Sequence, residues 1–212
     1  RDTVLKEGAC PVTYHAAFRP VRPGLADARE FPHEVWARCL RRSALRRRWN
    51  DQTLINRPSL REALRDYLEA SRGVRAEAEQ ILILPTAQAA LTLIAAVTIV
   101  SGDAVWTKDP GYPGAAAAFR TAGAEVIGVR LDQGGMIRTR EGRVPKLIFA
   151  TPSHQHPTGR VMPVARRTEL LAAAQPGKTW IVEDDYDGEF HYDSRPMPAL
   201  QGLDGQGRVL YV

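Results

Sequence analysis

Six short β-rich runs punctuate the chain: ILIL at 81–84, AVWT at 104–107, EVIGV at 125–129, LIFA at 147–150, WIVE at 180–183 and VLYV at 209–212. Helix-compatible stretches, among them 86–100, 114–122 and 163–174, separate most of them. Strands that alternate with helices form parallel sheets, because each crossover carries its helix onto one face of the sheet. The alternation therefore predicts an α/β domain whose mostly parallel sheet is covered by helices on both faces. At 212 residues there is room for one such domain, or for one large domain and a fragment of a second. The longest apolar run, AALTLIAAVTIV at 89–100, is too short to span a bilayer; it reads as a buried helix, and no membrane partner is expected.

Ahead of the alternating region the pattern changes. Residues 1–30, with Pro11, Pro20, Pro23 and Gly24, lack periodicity and read as a linker or N-terminal arm, leaving 31–212 as the folded domain. Val35, Trp36, Leu40 and Leu45 between arginines predict an amphipathic helix over 31–49. A second helix is predicted over 57–73, with Pro58 and Ser59 suited to its first turn and Gly73 to its end. The formal charge of +5 is mostly arginine, since the lysines are only Lys6, Lys108, Lys146 and Lys178. No basic stripe is interleaved with aromatics, which favours a solvated arginine-rich surface over a nucleic-acid face. Cys10 and Cys39 are too few for a disulfide framework or a zinc site, as expected of a reducing cytoplasm.

Ligands of open parallel sheets sit outside the carboxyl ends of the strands, and the unusual clusters of this sequence fall there. After 81–84, residues Thr86, Ala87 and Gln88 open a helix; its backbone N–H groups suit a phosphate, or Thr86 simply caps it. After 104–107, KDPGYPGA presents Tyr112 either to a flat ligand or to the underside of its own turn. After 147–150, TPSHQHPTG carries His154 and His156 without a third ligand at metal spacing, which favours a polar loop. After 180–183 come Glu183, Asp184, Asp185, Asp187 and Glu189. Such carboxylates cap a turn, hold magnesium, or pair with a cationic heterocycle such as a protonated pyridine.

The segments FRPVRPGLADAREFPHEVW, PSLREALRDYLEASRGV, DPGYPGA, TPSHQHPTG, EDDYDGEF and RPMPALQGLD run in this order from about residue 18 onward. Together they resemble the large domain of fold-type I pyridoxal 5′-phosphate (PLP) proteins, most closely the aminotransferase-like domain of the MocR/GabR branch of the GntR transcription regulators. The resemblance implies that Asp184 hydrogen-bonds the pyridine nitrogen and keeps it protonated, which makes the ring a better electron sink. It implies that Tyr186 reaches the ring's 3′ oxygen, that Tyr112 stacks on its face, and that Ala87 and Gln88 contact the phosphate. It further implies a cytoplasmic homodimer that senses an amino acid or amine. DNA contact is expected only through a winged helix on the N-terminal side of this chain.

Two departures from the family pattern bear on the site. His156 stands where an asparagine commonly precedes PTG, and carries over no role. The loop WNDQTLINRPSLR is longer than its family counterpart, so Trp49 is not assigned the place of the tyrosine found there. Family members carry the Schiff-base lysine soon after the strand that ends here at Val212, and none of the four lysines matches that place. The domain is accordingly expected to be incomplete at its C-terminal end. That leaves no catalytic residue within the chain, weak or absent PLP binding by these residues alone, VLYV on an open sheet edge, and 81–84 without a central neighbour. A free-standing aminotransferase and a degenerate fragment without cofactor chemistry are the competing readings. FPHEVW and SHQHPTG favour the regulator.

Overall fold

A computed structural model of the chain describes residues 28–45, 58–136, 143–174, 177–190 and 197–212. The chain divides into two compact units, 1–51 and 52–212. Residues 1–27 of the predicted 1–30 arm and residues 49–57 of the long loop, with Trp49, lie outside the described residues. In the first unit a 3-10 turn at Ala28–Glu30 leads into helix α1, His33–Leu45. Phe31 sets the entry to this helix, its ring packing edge-on against His33 and Trp36 at centroid distances of 4.9 and 6.1 Å.

The second unit holds helices α2 (Pro58–Arg72), α3 (Ala87–Thr98), α4 (Pro113–Thr121), α5 (Val164–Ala173) and α6 (Leu200–Leu203). Its strands are β1 (Ala104–Asp109), β2 (Glu125–Asp132), β3 (Gly135–Met136), β4 (Leu147–Ala150), β5 (Trp180–Glu183) and β6 (Val209–Tyr211). They form one sheet in the order β3-β2-β1-β4-β5-β6, parallel throughout except for β3, which turns back against β2. Every residue of β4 is buried, as a central parallel strand with both faces covered requires. Its alternate residues feed two cores. Leu147 and Phe149 join Leu91, Ala95, Ala115 and Phe119 of α3 and α4 on one face. Ile148 and Ala150 join Trp106, Met162, Leu170 and Leu200 on the other. Burying each large side chain of these layers contributes ~2 kcal/mol.

The predicted strand at 81–84 does not enter the sheet: these residues carry no strand structure, and Leu82 is 55% exposed. Strand propensity is realised only against a partner, and none of the described strands lies beside 81–84, in line with the expectation that this segment lacks its central neighbour. Among the described residues β6 pairs with β5 alone and forms the sheet edge, as the sequence predicts. The short β3 is an addition to that reading. Gly134 N–H donates to the Asp132 carboxylate (2.7 Å) in the turn before it, and Gly135 takes a φ of 101°, a conformation open to glycine. Among the described residues no helix is long and apolar enough to cross a membrane.

Candidate functional site

The parallel strands β1, β4 and β5 end side by side, and the three loops that leave them carry the candidate residues. Asp184 continues the ladder, its N–H donating to the Ala150 carbonyl (3.0 Å), while Asp185 N–H donates to Val212 (3.0 Å). Extended backbone thus runs past β5, and the acidic side chains following it alternate in direction. Glu183 and Asp185 take structural partners, whereas Asp184 is coupled to the cation of Lys108.

Glu183 is fully buried and accepts the N–H groups of Leu200 (2.7 Å) and Gln201 (2.8 Å), capping α6 with both oxygens. Burial pushes its carboxyl up to about 7, against the pull of these two donors. Asp185 receives a bidentate contact from Arg72 of α2 (Nε 2.7 Å, Nη2 2.8 Å) and the Tyr211 hydroxyl of β6 (2.5 Å). Arg72 also donates to Ser153 Oγ (2.6 Å) and the Met197 carbonyl (3.2 Å). One buried guanidinium therefore ties α2 to the ends of β4, β5 and β6. Gly188 lets the loop fold back over this clamp, since a Cβ there would lie 2.6 Å from the Asp185 carboxylate. Glu189 accepts the Tyr67 hydroxyl (3.1 Å). Asp187 takes a left-handed φ of 55°.

Asp184 is different. Burial raises its carboxyl to about 6, Lys108 works against that rise, and Asp185 adds to it. Lys108, at the end of β1, is only 3% exposed, donates to Thr151 Oγ1, and lies 5.9 Å from the centre of the Phe149 ring. Burial lowers its ammonium to about 8, against the attraction of Asp184. The site is thus a desolvated carboxylate with one buried cation coupled to it.

Around it stand aromatic rings. His156 lies between Tyr112 and Tyr186, at centroid distances of 6.4 and 6.5 Å, and His154 is 6.1 Å from Tyr186. The peptide bonds Asp109–Pro110 and His156–Pro157 are cis. At the start of α3, Thr86 Oγ1 accepts the Ala89 N–H (3.0 Å), so the N-cap reading of Thr86 holds. Ala87 and Gln88 occupy the first turn, where backbone N–H groups have no acceptor within the helix. The Gln88 side chain donates to Gly114 O (3.1 Å) and accepts the Tyr112 hydroxyl (3.4 Å), joining α3 to the Tyr112 turn.

Sequence reasoning leaves out Lys108, Arg72 and Arg167. Lys108 had a visible signal, a lone lysine ending the apolar strand AVWTK. Arg167 is 1% exposed and donates to the carbonyls of Met162 (3.0 Å), Pro198 (2.6 Å) and Pro152 (3.2 Å). Nothing in an arginine-rich sequence separates these two buried guanidiniums from the solvated ones.

The sheet order, the helices on both faces and the polar cluster beyond the strand ends define an α/β protein of the aminotransferase type. Residues 25–211 match the model of the family "Aminotransferase class I and II", and the chain belongs to that family. It is 40% identical over 197 residues to the "Probable rhizopine catabolism regulatory protein MocR" of Rhizobium meliloti, covering 90% of this chain and 39% of that protein. It is 36% identical over 193 residues to the "HTH-type transcriptional regulator TauR" of Rhodobacter capsulatus, covering 89% of this chain and 40% of that one. The kynurenine aminotransferase of Pyrococcus horikoshii, solved in complex with PMP, superposes with a TM-score of 0.75 at 29% identity over 89% of this chain and 50% of that chain. The chain thus spans about 40% of the length of these curated relatives.

Proposed function

We propose that this chain is the cofactor- and effector-sensing part of a PLP-dependent transcription regulator of the MocR/GabR type. The observation that carries the cofactor reading is Asp184, a desolvated carboxylate at the end of β5 that faces one coupled cation and lies two residues from Tyr186. Such a group suits a flat heterocycle whose ring nitrogen meets a charged partner. The rings of Tyr112, His156 and Tyr186 supply walls of the right kind, and the first turn of α3 supplies N–H groups for a phosphate. The regulator names borne by the MocR and TauR relatives support the choice of function.

When bound, PLP supplies a carbonyl that captures amines and a ring that withdraws electrons. The chain's own residues act around it. Asp184 sets the charge at the ring nitrogen, Tyr112 covers a ring face, Tyr186 donates to the ring oxygen, and Ala87 with Gln88 hold the phosphate. An amino acid or amine is the effector, a homodimer the working assembly, and the cytoplasm the setting in which attached DNA-binding domains respond.

The test uses the protein at its natural length, titrated with PLP and followed by absorbance. PLP binds, and Asp184→Ala weakens binding at least about tenfold, equivalent to about 1.4 kcal/mol. Unchanged affinity and spectrum remove the role given to Asp184. The second reading, a free-standing aminotransferase, draws on the likeness to the Pyrococcus enzyme. Multiple turnover of an amino acid with a 2-oxo acid, and no operator DNA retained in a mobility assay, would favour it.

A further inference from the structure

Arg72 closes α2 and is 2% exposed. Its Nη2 carries two N–H groups in the fixed plane of the guanidinium, and they go to different loops: to Ser153 Oγ (2.6 Å), beyond β4, and to Asp185 Oδ1 (2.8 Å), beyond β5. Nε adds Asp185 Oδ2 (2.7 Å), and Nη1 adds the Met197 carbonyl (3.2 Å). A single nitrogen thus sets the spacing of two loops. The register between β4 and β5 ends at Ala150 and Glu183, and the ladder is carried one step further where Asp184 N–H donates to Ala150. Ser153 and Asp185 lie beyond that step, so Arg72 continues with a side chain what the backbone ladder does as far as Asp184. Both loops carry the candidate residues. Asp184 precedes Asp185, and Ser153 precedes His154, whose ring lies 6.1 Å from that of Tyr186. Two residues further on, His156 stands between Tyr112 and Tyr186.

We propose that Arg72 is a positioning residue for the bound cofactor: by gripping Ser153 and Asp185 together, it holds Asp184 and the rings of His156 and Tyr186 in one fixed arrangement. The inference rests on the cofactor reading above and deepens it. Arg72 and Ser153 are buried against protein partners, so they act through the residues they hold and not by touching the ligand. A flat ring that meets a carboxylate at its edge and aromatic walls at its faces depends on their relative placement, and a displacement of about 1 Å is enough to weaken such a constellation. The contact requires arginine. A lysine ammonium is a point donor that cannot span two carboxylate oxygens and a hydroxyl in one plane. The Tyr211 hydroxyl (2.5 Å) fixes Asp185 from the side of β6, and Arg72 is the contact that brings in the β4 loop.

The deciding measurement is the induced circular dichroism of the cofactor's absorption band, taken on the protein at its natural length and saturated with PLP. Free PLP is achiral and gives no such signal, so its size per bound cofactor reports how the surrounding groups hold the ring, whatever the stability of the fold. Ser153→Ala cuts the link to the β4 loop and leaves Arg72 on Asp185; Arg72→Lys keeps the charge and loses the fork. Both variants are expected to lower the signal per bound cofactor and to raise the PLP dissociation constant about fivefold. A wild-type signal and affinity in Ser153→Ala overturn the proposal even if its melting temperature falls, because the tie is then structural alone. Should Arg72→Lys fail to fold, Ser153→Ala decides by itself. If the wild type binds no PLP, the cofactor reading of this site fails, and the inference falls with it.

Discussion

At Asp184 the cost of keeping a carboxylate away from water is set against what a nearby cation returns. The native value of about 6 lies above the ordinary 3.8, so between these pH values the folded chain holds a proton that the unfolded chain releases. This group's contribution to stability is therefore largest below about 3.8 and declines as pH rises to about 6. Asp184→Asn abolishes the decline. Urea denaturation is expected to show the variant close to wild type at pH 4 and more stable by about 2–3 kcal/mol at pH 7; a less stable variant at pH 7 would mean that Asp184 is stabilised rather than strained. Gly114 bears on a neighbouring contact. A Cβ there would lie 2.5 Å from Cζ of Tyr112 and 2.6 Å from Oε1 of Gln88. Gly114→Ala is expected to displace the Tyr112 ring and lower PLP affinity about tenfold, measured by titration, with far-UV circular dichroism unchanged.

Among the elements, α2 is held by one side chain more than by its length. Arg72 and Asp185 are both buried, so removing one partner strands the other's charge. Arg72→Ala is expected to cost about 3–5 kcal/mol by thermal or chemical denaturation, and an apolar replacement of both partners to cost less than that single change. This contact was not legible in the sequence, because an arginine at the end of an amphipathic helix reads as solvated. β1, β2, β4, β5 and β6 were legible, since each is a short run of apolar and β-branched residues between turn formers. ILIL at 81–84 has the same composition and pairs with none of the described strands, as expected of a segment without its central neighbour, which composition alone does not record. Tyr112, Asp184 and Tyr186 could be placed at strand ends from order alone. The proximity of Lys108 to Asp184 needed the register of three strands that are distant in sequence.

For the molecule as a whole, β6 marks where the sheet stops within this chain. Its outer side is already partly occupied: the Asp204 carboxylate accepts the N–H groups of Gln206 (2.8 Å), Arg208 and Val209 (3.0 Å). Asp204→Ala releases these donors beside the edge, and the 212-residue chain is expected to self-associate more strongly, read as a concentration-dependent rise in sedimentation coefficient. The same polypeptide, mixed alone with PLP and borohydride, is expected to give no reduced covalent adduct at the site; a stoichiometric adduct would show that one of its own four lysines serves that purpose. The pleat beyond β5 has a wider consequence. Glu183 and Asp185 brace the scaffold, while the residue between them is the one proposed to meet the ligand. Recognition can therefore be rewritten at the middle position while its neighbours go on holding the architecture, and a single inserted or deleted residue ahead of it would exchange the two tasks and abolish both.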